Sequence, residues 1–107
     1  SFEKANHAPT VKLKHAHTLK AKPGSTVQLS GDAKDPDGNG VMYKWWQYFE
    51  VDTYEGKVTV KAPDRSKASM EIPSDAKKGD AIHIILEVTD SGSPKLTRYQ
   101  RVIITVE

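Results

Sequence analysis

The sequence contains no cysteine among its 107 residues, which excludes disulfide bonds, thiolate nucleophiles and thiolate zinc sites. No apolar run approaches the ~20 residues needed to cross a bilayer, so no membrane partner is expected. Charge of one sign is also lacking: Lys and Arg number 16 against 14 Asp and Glu, a formal net charge of +2. The basic residues are scattered between candidate strands and form no single stripe, so nucleic acid is not an expected partner either. A glycine-rich phosphate loop and a serine nucleophile elbow are both missing. The N-terminus carries no apolar signal-peptide core, as expected of a piece of a longer chain.

What is present reads as one all-β domain. The length suits a single sandwich core, and 36% hydrophobic against 28% charged residues fits a thin two-layer β-domain with much solvated surface. Alternation of period two recurs between short turn signals. Thr10 to His15 reads as a first strand, with Leu19 and Ala21 as a second short piece of it. Further strands are expected around Val27 and Leu29, from Val41 to Tyr48, Lys57 to Lys61, Lys67 to Ile72, Ala81 to Thr89 and Thr97 to Val106. Asp35-Pro36-Asp37-Gly38-Asn39-Gly40 cannot hold a regular element and must be an ordered loop. The domain is placed at 10–107, with 1–9 as linker and N-terminal arm, and its class as an immunoglobulin-like two-sheet Greek-key sandwich.

Two stretches resemble the polycystic-kidney-disease (PKD) domains and their cadherin-like relatives. They are Ser30 to Gly38 followed by Tyr43-Lys44-Trp45, and Leu86-Glu87-Val88-Thr89-Asp90-Ser91-Gly92. A closer similarity extends from Asn6-His7-Ala8-Pro9 through Tyr43-Lys44-Trp45-Trp46-Gln47-Tyr48 to Ile82–Asp90 and Leu96-Thr97-Arg98-Tyr99. It resembles the C-terminal domain of a bacterial family described as cellulose-binding, whose N-terminal domain resembles nucleoside hydrolases. That resemblance implies an exported parent, secreted, periplasmic or at the cell surface, which acts on or adheres to glycans or glycosides.

Trp45 and Trp46 are adjacent, so on a strand they must face opposite sides of the sheet. The PKD resemblance puts Tyr43 and Trp45 inward and sends Lys44, Trp46 and Tyr48 outward. If this strand pairs with the sixth and the sixth with the seventh, the same outer face carries His83, Ile85, Glu87, Tyr99, Arg101 and Ile103. That face is too apolar to be ordinary solvated sheet. Two readings stay open: it docks against a preceding nucleoside-hydrolase-like domain, or it stacks sugar rings of cellulose or another polysaccharide on Trp46, Tyr48 and Tyr99, with Lys44, His83 and Arg101 bonding hydroxyls.

Asp35, Asp37 and Asn39 alternate around Gly38 in the manner of an oxygen-rich calcium loop, although no EF-hand glutamate follows. Calcium-binding PKD-like domains take ligands from positions that match Asn6, Asp35, Asp37 and Asp90 here, so the resemblance implies calcium at those four. The alternative is a plain turn in which the aspartates bond their own backbone. Catalysis has no support: Glu50, Asp52 and Glu55 read as a solvated loop, and His15 and His17 lack a third ligand at zinc spacing.

Overall fold

The computed structural model describes residues 6–107. Among these described residues, eight strands form two four-stranded sheets. They are β1 (Thr10–Leu13), β2 (Thr18–Ala21), β3 (Thr26–Lys34), β4 (Val41–Gln47), β5 (Val60–Lys61), β6 (Lys67–Glu71), β7 (Ala81–Asp90) and β8 (Thr97–Val106), with one 3₁₀ turn at Phe49–Val51. One sheet has the order β1-β3-β6-β5 and the other β2-β8-β7-β4. The inner faces enclose a core of Val27, Leu29, Trp45, Met70, Ile72, Ile82, Ile84, Leu86, Val88, Val102, Ile104 and Val106. These are the apolar members of the period-two pattern, and their burial is the main stabilising contribution, about 1.5–3 kcal/mol for each large side chain.

Several boundaries differ from the sequence reading. The first strand stops at Leu13, and the piece around Leu19 is not its continuation in one sheet. β1 runs antiparallel to β3, whereas β2 runs parallel to β8, with Thr18 opposite Ile103 and Ala21 opposite Val106. The polar stretch Lys14–His17 carries the chain from one layer to the other. The strand expected from Lys57 to Lys61 shrinks to Val60–Lys61.

The adjacent tryptophans separate as alternation requires. Trp45 is 2% exposed, and its indole N–H donates to the Arg65 carbonyl at 2.7 Å. Its backbone N–H, on the free edge of β4, donates to the Pro63 carbonyl at 2.8 Å. The turn between β5 and β6 therefore bridges the two sheets and covers part of that edge, which an unpaired strand requires. Gly31 on β3 makes room for this packing, because a Cβ there would run into the Leu86 side chain at 2.5 Å.

Trp45→Ala is expected to destabilise the domain by about 3–5 kcal/mol, the usual cost of deleting a buried large aromatic. Trp46→Ala should cost much less. Urea unfolding of the two variants checks this, and equal losses would contradict the assignment of faces.

Candidate functional site

Two groups of side chains stand out, both carried by β7. The first is the outer face of the β2-β8-β7-β4 sheet. Register across β4, β7 and β8 sets Lys44 beside Glu87 and Glu87 beside Tyr99, then Trp46 beside Ile85 and Ile85 beside Arg101. His83 lies opposite Ile103 in the next row, and the Tyr48 backbone N–H donates to the His83 carbonyl at 2.9 Å just past the end of β4. Lys44, Trp46, Tyr48, His83, Ile85, Tyr99 and Arg101 thus share one face.

Their exposure is uneven. Tyr99 is 59% exposed and Met42, one row further along β4, 51%. Trp46, Tyr48 and His83 are half-buried, and Ile85 is only 6% exposed although it faces outward. The Trp46 and Tyr48 rings lie 5.8 Å apart at 46° to one another, and the Arg101 guanidinium stands 6.0 Å from the Tyr48 ring centre. The Trp46 indole N–H is buried with no acceptor. A flat polysaccharide surface needs rings in one plane with open faces, and here the rings are tilted and one is capped. The relief of the face suits a shaped protein surface, and its mixture of Trp, Tyr and Arg is the composition of interface anchors.

Behind this face, Asp52 departs from the solvated loop expected for it. Its side chain is completely buried, against 13% exposure for the His83 side chain. One Asp52 oxygen accepts the His83 backbone N–H at 2.6 Å and the His83 Nδ1 at 3.0 Å, and the other accepts Gln47 Nε2 at 2.7 Å. Neither Asp52 nor Gln47 has a signal in the sequence beyond a position just after an aromatic strand.

The second group lies at the loop end of the sandwich. Asp90, fully buried, accepts the Gly92 and Leu96 backbone N–H groups at 3.1 and 3.0 Å on one oxygen. Asn6 Nδ2 donates to its other oxygen at 3.0 Å and to the Pro94 carbonyl at 2.8 Å. Asn39 Nδ2 in turn donates to Asn6 Oδ1 at 3.0 Å. The Asn6 amide lies so close over Gly92 that any side chain there would collide with it. Asp35 caps its own loop through the Asp37 and Asn39 N–H groups on one oxygen, while its other oxygen, Oδ2, is buried and has no donor.

The Asp37 carboxylate is engaged by His7. It accepts the His7 backbone N–H at 2.6 Å and contacts the His7 ring Nδ1 at 3.0 Å. Among the described residues no three His, Asp or Glu side chains converge on one point. The set at hand is two carboxylates, Asp35 and Asp90, with the Asn6 amide and the Pro94 carbonyl. It fits a cation in one respect, the orphaned Asp35 oxygen. In another it requires a change: the Asn6 amide must turn over to present its oxygen.

The fold and these two groups define an immunoglobulin-like sandwich with an aromatic outer face and a clamped N-terminal arm. The chain belongs to the family described as "Cellulose-binding protein Sde0182, C-terminal domain", whose model matches residues 26–106. Among solved structures, a nucleoside hydrolase-related protein from Saccharophagus degradans, described as associated with carbohydrate metabolism, matches with TM-score 0.92 and 38% identity over 100% of this chain. The present chain spans 27% of that protein's length. Murine CRIg matches with TM-score 0.59 at 16% identity, over 94% of this chain and 99% of its own, a likeness of fold alone. None of the curated proteins compared with the chain matches it.

The loop end makes stability depend on acid. His7, through its backbone N–H first and then its ring, holds the Asp37 carboxyl below the usual carboxylate range. The Leu96 N–H foremost, then the Gly92 N–H, Asn6 and the Asp35 side chain, lower Asp90 against the opposing effect of burial. A carboxyl whose folded pKa lies below its unfolded value contributes stability that is complete above the unfolded value and is lost as pH falls through the folded one. With chelator present, the melting temperature should therefore drop once the pH falls below about 4, the ordinary Asp range. Asp37→Asn should lower it at neutral pH and flatten the acid limb. A melting curve series that is equally steep for both proteins would contradict this account.

Proposed function

We propose that this domain is a non-catalytic accessory module of an exported, carbohydrate-associated protein, and that it docks onto and orients a nucleoside-hydrolase-like domain preceding it. The observation that carries the reading is the outer sheet face, where half-buried Trp46 and Tyr48, exposed Tyr99 and Met42, and Arg101 form a relief of interface composition. The Saccharophagus degradans relative supports it, since the region matching this chain makes up 27% of a protein described as nucleoside hydrolase-related. No helix among the described residues is long and apolar enough to cross a membrane.

A second reading, direct binding of cellulose or another polysaccharide, draws on the family description and on Tyr99, whose open ring is available for stacking. The two readings separate in one experiment. The isolated domain is titrated with cello-oligosaccharides, mixed with insoluble cellulose, and mixed with the hydrolase-like part of its parent. Docking predicts association with that part, weakened at least about tenfold by Trp46→Ala as for a central aromatic anchor, and no retention on cellulose. Retention on cellulose that Tyr99→Ala abolishes, without association, would reverse the conclusion.

At the loop end the reading includes calcium, held by Asp35 and Asp90 with the turned Asn6 amide and the Pro94 carbonyl. The supporting observation is the buried Asp35 Oδ2 without a donor. An ion there would tie the N-terminal arm to two loops and stabilise the folded state in proportion to its occupancy. Calorimetry with millimolar calcium should give a higher melting temperature than with chelator, and Asp35→Asn should remove the increment. Superimposable curves would leave a hydrogen-bonded turn and no metal.

A further inference from the structure

We infer that His83 is the polar key of the docking face, a fixed hydrogen-bond acceptor that selects a neutral donor on the partner domain. The inference rests on the docking reading above and adds to it the residue that sets register.

The argument begins with Gln47. Its Oε1 accepts the Val58 N–H at 2.8 Å, so the other end of the amide must be Nε2, which donates to Asp52 at 2.7 Å and to the Gly56 carbonyl at 3.2 Å. Asp52 thereby has one oxygen engaged by Gln47 and the other by the His83 backbone N–H. A buried carboxylate offers no proton, so the His83 Nδ1 that meets it at 3.0 Å must carry one. The neutral imidazole is then the Nδ1–H tautomer, and its bare nitrogen is Nε2. Ring geometry turns Nε2 away from Asp52, and the ring belongs to a residue of the outer face, opposite Ile103 and two residues along β7 from Ile85.

A carboxylate that fixes the ring on one side and leaves the other nitrogen available is how proteins preset a histidine for a specific task. Here the surroundings on the face are Tyr48, Ile85 and Ile103, so a partner that covers them without supplying a donor leaves a desolvated lone pair unpaired. Such a group contributes more to discrimination than to affinity. The charged groups nearby come from each neighbouring element: Asp52 after the 3₁₀ turn, Arg101 on β8, and Lys44 and Glu87 two rows away on β4 and β7. Tyr48 is the titratable side chain at the end of β4. None of these replaces an acceptor at the His83 position. The complement is a hydroxyl or amide N–H and not a carboxylate, which would face the Nε2 lone pair.

The test starts from a protein containing both parts, folded intact, cleaved in the linker, with the dissociation constant of the two parts measured at neutral pH. His83→Phe should weaken association about tenfold, the worth of one well-placed hydrogen bond, and His83→Gln less. Trp46→Ala separates the two levels of the reading. If it weakens association while His83→Phe matches the wild type, this inference is overturned and docking stands. If the parts do not associate at all, docking fails and the inference with it. Should His83→Phe not fold, the imidazole nitrogen resonances of the wild-type domain at neutral pH still decide. Nδ1–H is the expected tautomer, and Nε2–H would overturn the inference.

Discussion

The structure hangs on β7, paired along its length with β4 on one side and β8 on the other. Ile82, Ile84, Leu86 and Val88 are wholly buried on its inner face, and Ile85 is nearly so on its outer face. A strand flanked on both sides and covered on both faces has little freedom to slip, because a shift of one residue would exchange the two sets of side chains. That rigidity fixes everything attached to it. His83 near its start is held against Asp52, Ile85 at its middle underlies the Trp46–Arg101 row, and Asp90 at its end receives the N-terminal arm. Both candidate sites are in this sense built on one strand.

What the sequence made legible is what alternation and turn chemistry control. Trp45 and Trp46 had to part, and the pairing of β4 with β7 and β7 with β8 followed from the sandwich topology, so the membership of the outer face was readable in advance. Local rules do not reach the sheet exchange between β1 and β2. Lys14–His17 looks like a continuation of alternating strand, and only the choice between two distant partners, β3 and β8, shows that the chain crosses layers. Asp52 was illegible for a related reason. Its partners His83 and Gln47 lie 31 and 5 residues away, and an aspartate between a 3₁₀ turn and the polar loop Thr53–Gly56 carries no mark of a buried carboxylate.

At the loop end Asn6 is bonded to Asp90, Asp37 is bonded to His7, and Asp35 closes its own loop. Most of the negative charge is met by N–H groups: two backbone donors and an amide on Asp90, two backbone donors on Asp35. Such a carboxylate costs far less to bury than a bare one. The remaining oxygen of Asp35 is the exception, buried with no donor among the described residues.

The clamp and the face bear on each other through entropy. Docking of two separate bodies must offset the loss of their translational and rotational freedom, several kcal/mol at least. Joining them by a short segment turns the step into an intramolecular one, with an effective concentration set by how narrowly that segment limits the approach. Asn6 and His7 bind to Asp90 at the end of β7 and to Pro94 and Asp37 on loops of the sandwich, so the chain is held to the domain ahead of the first strand. A partner joined there would meet the β4-β7-β8 face with much of the orientational cost already met. Under the proposed docking, a face with few anchors would then suffice: one tryptophan, one tyrosine–arginine pair and one histidine.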